Sequence, residues 1–194
     1  MLNREDLLSL EKYAEIRPEF RANVMAHKKN RQVLLGDNVT LYFEDNLTMQ
    51  YQIQEMLRIE KIFESSGIQE ELDTYNPLTP DGNNLKATFM IEYPDIEQRK
   101  LMLEKMLNIE ETVWMKIEGF QKVYAIADED LERNNDIKTS AVHFLRFEFS
   151  RDMVKQAKQG ASISIGIDHE AYRVLLSPIP ENIRNSLLQD FSDH

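Results

Sequence analysis

The chain contains no cysteine among its 194 residues. That excludes disulfide frameworks, thiolate metal sites, cysteine nucleophiles and directly ligated iron–sulfur clusters. Long apolar runs are missing too, none approaching the ~18 residues of a membrane-spanning helix. The first segment, MLNREDLLSLEKYAEI, carries charges every few positions instead of the apolar centre of a signal peptide. A cytoplasmic protein without membrane association is therefore expected. Glycine is sparse and scattered, at 36, 67, 82, 119, 160 and 166, so no glycine-rich phosphate loop and no G-x-S-x-G nucleophile elbow can be built.

Positive charge is also scarce. Lys and Arg number 23 against 34 Asp and Glu, a formal net charge of -11, which repels a phosphate backbone. The one basic cluster, His27 to Arg31 (HKKNR), falls at the expected end of a helix, where cations complement the macrodipole. Nucleic-acid binding is not expected. With four histidines and no H-E-x-x-H or Glu-x-x-His, a metal site would have to be assembled from distant residues such as His27, Glu60 and His143, so no metal and no cofactor is expected. The acidic run Asp128, Glu129, Asp130, Glu132 lacks the glycine and ligand spacing of a calcium loop and reads as solvated.

What remains is an ordinary globular composition, 42% hydrophobic and 29% charged, of a length that suits one domain. Tyr13, Ile16, Phe20 and Val24 share a helical face, with Pro18 placed in the first turn. Val39, Leu41 and Phe43 alternate along a strand. Residues 47–65 follow as a long helix ended by Gly67, then a shorter helix over 68–74 that stops before Asn76-Pro77. A strand over 85–93, a helix from Pro94-Asp95 to about 107, and a hairpin of 112–117 with 121–127 around Glu118-Gly119 come next. Beyond a polar stretch over 128–138 lie a strand over 141–149 that includes His143, a helix over 151–158, two strands flanking Asp168-His169, and a final helix from Pro180. Short turns between neighbouring strands argue for an α+β fold with a mostly antiparallel sheet and helices packed around it.

Winding residues 47–64 at 100° per residue places Met49, Ile53, Met56, Leu57, Ile59 and Phe63 on one arc, with Gln52 and Glu60 inside it. A carboxylate there needs a partner or a raised pKa. On the opposite side Tyr51, Glu55 and Arg58 cluster, an arrangement that serves as a surface ion pair or as one wall of a carboxylate or phosphate pocket. The first helix's apolar stripe runs into His27 and Arg31, which can close over Glu60 or another carboxylate. Binding candidates from the residues themselves are thus His27, Arg31, Tyr51, Gln52, Glu55, Arg58 and Glu60.

The segments YQIQEMLRIE, ELDTYNPLTPDGNNLKATFMIEY and SAVHFLRFEF resemble a bacterial family named domain of unknown function 3501, over nearly the whole chain. The resemblance adds Tyr75 and Asn76 to the candidate surface. It also implies company: rubrerythrin-like proteins and iron–sulfur oxidoreductases. The leading expectation is an accessory or binding protein with such a redox partner. The alternative is a small-molecule enzyme or sensor with a pocket around Glu60, Arg58 and His27; a third reading is a homo-oligomer formed through an exposed apolar patch.

Overall fold

The computed structural model describes residues 1–131, 133 and 137–192. In chain order its first elements are α1 (Leu10–Lys28), β1 (Gln32–Leu35), β2 (Val39–Glu44), α2 (Asn46–Glu60), α3 (Ser65–Tyr75), β3 (Asn84–Ile91) and α4 (Ile96–Lys105). Then come β4 (Val113–Ile117), β5 (Val123–Tyr124), β6 (Ile126–Ala127), β7 (Val142–Glu148), α5 (Arg151–Lys158), β8 (Ile163–His169), β9 (Tyr172–Leu176) and α6 (Glu181–Leu187). The strands pair into two antiparallel sheets, ordered β1-β2-β3-β7-β6 and β5-β4-β8-β9. The fold is α+β.

Period-two alternation decides which residues enter the core. In the first sheet the register aligns Phe43 with Ala87 and Ala87 with Leu145, so Leu41, Phe43, Ala87, Phe89, Leu145 and Phe147 share one buried face. Val113, Met115, Ile117, Ile163, Ile165 and Ile167 form the inner face of the second sheet. Both faces, with Leu103 of α4, Val154 of α5 and Leu187 of α6, close one apolar core.

A second, smaller core joins α2 and α3 to the N-terminal segment through Leu2, Met49, Ile53, Leu57 and Leu72. This helical lobe meets the first sheet where β2 runs into α2. Asp45 caps α2 by accepting from Thr48 N, while the Thr48 hydroxyl accepts from Asp45 N.

Three sequence expectations are corrected. Ser9, not the Pro18 region, starts α1: its hydroxyl accepts from Lys12 N, which leaves Pro18 inside the helix. The lost backbone bond is tolerated because tertiary contacts through buried Tyr13 and Val24 hold α1 in place. Helix α2 ends at Glu60 instead of running to 65, because Lys61 adopts a left-handed conformation (φ 56°) and Ile62 N bonds back to Leu57 O. Gly67 lies within α3, where a Cβ would stand 2.7 Å from Ile62 Cγ2, so its smallness serves packing. The segment 121–127 is not one hairpin arm: Val123 and Tyr124 pair with β4, while Ile126 and Ala127 pair with β7 in the other sheet.

Candidate ligand-binding cleft

The face of the first sheet turned away from the core is polar. Alternation places Glu44 of β2, Lys86 of β3 and Arg146 of β7 in one row across three strands. The 3-10 turn Asn76–Leu78 at the end of the helical lobe stands over this row, and between them opens a cleft of about 530 Å³. Leu78, Phe144 and Leu145 supply apolar lining, and Asp81, Glu129 and Asp130 add carboxylates. This combination of an apolar wall with a few convergent polar groups is the usual make-up of a ligand site.

Most of the charges in the cleft satisfy one another. Arg146 donates twice to Glu129, at 2.8 and 2.8 Å, and once to Glu148 at 2.5 Å. Its guanidinium holds the Glu129 carboxyl below the usual range. Arg133 donates to both Asp130 oxygens at 2.6 Å, which brings that carboxyl down to about 2, and stacks 4.6 Å from the centre of the Phe144 ring. Two groups stand apart. Glu44 is only 8% exposed, its Oε1 accepts from the Thr88 hydroxyl at 2.9 Å, and among the described residues no cation pairs with it. Lys86 donates to the backbone carbonyl of Pro77 at 2.5 Å, and burial pulls its pKa below the usual lysine range.

Two polar clusters flank this region. Behind the cleft, buried Arg31 donates to the carbonyls of Phe43 and Glu44 and to the carboxylate of Asp190, while His27 Nε2 lies 2.6 Å from Asp45 Oδ2. On the core face of β7, fully buried His143 has Nδ1 2.6 Å from Asp128 and Nε2 within reach of the Thr139 hydroxyl and the Ser140 carbonyl. Glu110 Oε2 stands 3.7 Å from Nε2. Among the described residues no group of three His, Asp or Glu is arranged to hold a metal ion, and no helix is long and apolar enough to cross a membrane.

The family profile described as Protein of unknown function (DUF3501) matches residues 1–191. The chain belongs to this family. A crystal structure of a protein of unknown function from Burkholderia pseudomallei is similar to it, with 50% sequence identity, a TM-score of 0.92, and coverage of 98% of this chain and 99% of that one. No curated protein matches.

The DUF3501 candidate residues separate into distinct roles. Glu55 is a hub: it accepts from the Tyr13 hydroxyl at 2.7 Å, from Arg17 at 2.7 and 2.8 Å, and from Arg58 at 3.4 Å. Tyr51 packs its ring 6.3 Å from Phe20, with Lys28 Nζ 5.9 Å from its centroid. Asn76 brackets the N-terminal segment, accepting from Leu2 N and donating to Leu2 O, and Tyr75 packs against the helical core. Gln52 is half-buried, but the buried amide is the neighbouring Gln54, which bonds to both backbone groups of Leu8.

Glu60 is exposed, contrary to the expectation that it faces the core. Ile59 and Phe63 are apolar yet 61% and 73% exposed, so an arc that includes them tilts away from the buried Met49, Ile53, Leu57 stripe. The expected pocket of Glu60, Arg58 and His27 is not formed. His27 pairs with Asp45 before the first turn of α2 and Glu60 is its last residue, about 22 Å along the axis. His27, Glu60 and His143 likewise do not converge. In the acidic run, Asp128, Glu129 and Asp130 each pair with Arg133, Arg146 or His143 instead of being merely solvated; Glu132 lies outside the described residues. Glu44, Lys86 and Arg146 were missed, and the one signal available was charge at alternating strand positions.

Proposed function

We propose that this protein is a binding protein whose working site is the cleft between the helical lobe and the first sheet, and that its ligand is a small molecule bearing a positively charged nitrogen. The observation that carries this reading is Glu44, a carboxylate almost removed from water that forms no ion pair among the described residues, although Lys86 neighbours it in register. Such a group is costly unless a donor completes its shell, and an ammonium or guanidinium does so with charge as well as hydrogen bonds. Asp81 adds negative potential, and the Lys86 ammonium stands ready for an acceptor on the same ligand.

The partner implied by the family resemblance belongs to the same proposal. A chain without cysteine brings no thiolate of its own. Beside a rubrerythrin-like or iron–sulfur oxidoreductase partner it would supply the binding step and leave electron transfer to that partner.

Titration calorimetry with arginine, putrescine and spermidine tests the ligand. At least one should bind saturably, and Glu44→Gln should weaken it at least about tenfold, the loss of one charge-assisted contact. Undiminished binding by Glu44→Gln, or no binding by any of the three, removes the reading. Recovery of a tagged chain from anaerobic lysate without enrichment of either redox protein removes the partner.

A further inference from the structure

The second sheet has an outer face as well. Trp114 and Lys116 of β4, Ser164, Gly166 and Asp168 of β8, and Arg173 and Leu175 of β9 all point away from the core residues that alternate with them. Apart from Gly166, they line with the loop residues Glu118, Lys122 and Ser177 a groove of about 730 Å³ on the opposite sheet from the Glu44 cleft.

The floor of this groove is shaped around one indole. Trp114 lies against Gly166 so closely that a Cβ there would stand 2.4 Å from its ring, and Lys122 Nζ covers it at 4.0 Å from a ring centroid. The side chain is only 4% exposed, and among the described residues its buried Nε1 has no hydrogen-bond acceptor. It lies near enough to Asp168 to help Lys122 and Tyr124 hold that carboxyl low, yet not in bonding geometry. A buried donor without a partner is uncommon and points to something absent.

The charges point the same way. Both carboxylates in the groove are engaged: Asp168 accepts from Lys122 at 2.6 Å and from the Tyr124 hydroxyl at 2.9 Å, and Glu118 accepts from the Ser162 amide and hydroxyl. Lys116 and Arg173 are left over, exposed and without an ion pair among the described residues. The groove's three cations, Lys116, Lys122 and Arg173, outnumber its two carboxylates by one, in contrast with a chain of net charge -11. Lys116 is paired in register with Ser164, whose hydroxyl is 2.7 Å from that of Ser177. Arg173 is paired with Asp168, four residues further along β8 and two strands from β4. Strand geometry sets their Cα positions about 16 Å apart on a diagonal that crosses the indole.

We propose that this groove binds an elongated organic dianion. One oxyanion rests on Lys116 with the Ser164 and Ser177 hydroxyls, Arg173 holds the other, and an acceptor between them takes the indole N–H.

Trp114 is the one tryptophan of the chain, so its fluorescence and its single indole N–H resonance report on the groove directly. The full chain is titrated with octane-1,8-disulfonate, with suberate and with inorganic phosphate at matched ionic strength. One of the two dianions should shift the indole resonance saturably and bind at least about tenfold tighter than phosphate, since its two ends are linked. Lys116→Met and Arg173→Met, both surface changes, should each weaken it about tenfold. The proposal is overturned if neither dianion moves the indole resonance, if phosphate binds as tightly, or if both variants bind like the parent. Amine binding at Glu44 is read separately and is unaffected by either result.

Discussion

Two guanidinium–carboxylate clusters tie α1 and the residues just after it to the rest of the molecule, and they treat their carboxylates oppositely. At the helical lobe, Glu55 receives Tyr13, two bonds from Arg17 and one from Arg58, and these donors bring its pKa down to about 2. At the junction with the first sheet, Asp190 faces buried Arg31, yet burial raises its pKa to about 6. An arginine is present in both. The difference lies in how many donors each carboxylate commands after desolvation: Arg17 gives both its bonds to Glu55, whereas Arg31 is divided among Phe43 O, Glu44 O, Ser186 and Asp190, with Asp45 adding repulsion. The first cluster joins two helices, and the second locks β2, the α2 cap and the C-terminal segment together.

The sharpest way to break this contrast is Arg31→Ala. Removing a fully buried cation leaves Asp190 without its guanidinium and takes a donor from three carbonyls, and should cost about 3–5 kcal/mol in urea unfolding. Next is the pH dependence of stability in Asp190→Asn against the parent. The folded protein keeps the Asp190 proton up to about pH 6, whereas the unfolded chain releases it near its ordinary value of 3.8, so this group's contribution is full below 3.8 and is lost as pH rises to 6. The change is on the order of 3 kcal/mol, and the variant should lack that slope.

Glu55 has the opposite sign. Its contribution is present above the ordinary value of 4.5 and is lost as pH falls toward 2, so Glu55→Gln should flatten the acid limb of the parent curve. At neutral pH the same variant should cost about 1 kcal/mol, because partial solvent contact weakens the pairs. Curves of the same slope in Asp190→Asn and Glu55→Gln would end the distinction between the clusters. The smallest effect is expected for Phe63→Ser, within about 0.5 kcal/mol, since this ring is mostly in solvent. A loss of several kcal/mol would restore Phe63 to the core where sequence periodicity put it.

Helix α2 shows how far sequence could be read. The side carrying Tyr51, Glu55 and Arg58 was recognised, and Glu55 with Arg58 was correctly paired. The inward side was misjudged because Ile59 and Phe63 are apolar without being buried, and burial is a property of what packs opposite, which a single helix does not encode. His143 was placed on the buried face of its strand, as observed, but its partners Asp128 and Thr139 come from the polar stretch before it. The Glu44 cleft was invisible because residues 44, 86 and 146 belong to strands separated by some forty to sixty positions.

By itself, then, the sequence determined the local rules: period-two strands with apolar inner faces, helices capped by adjoining residues such as Asp45 and Asp95, and an antiparallel arrangement connected by short turns. It also determined that no cysteine chemistry is available. Those features depend on neighbours a few residues apart. Tertiary structure alone decided which charges meet, which carboxylate is buried outside the ion pairs of the described residues, and which indole N–H is buried without an acceptor among them. Desolvation and pairing depend on distances across the fold, and both proposed sites consist of residues that register, not proximity in sequence, sets side by side.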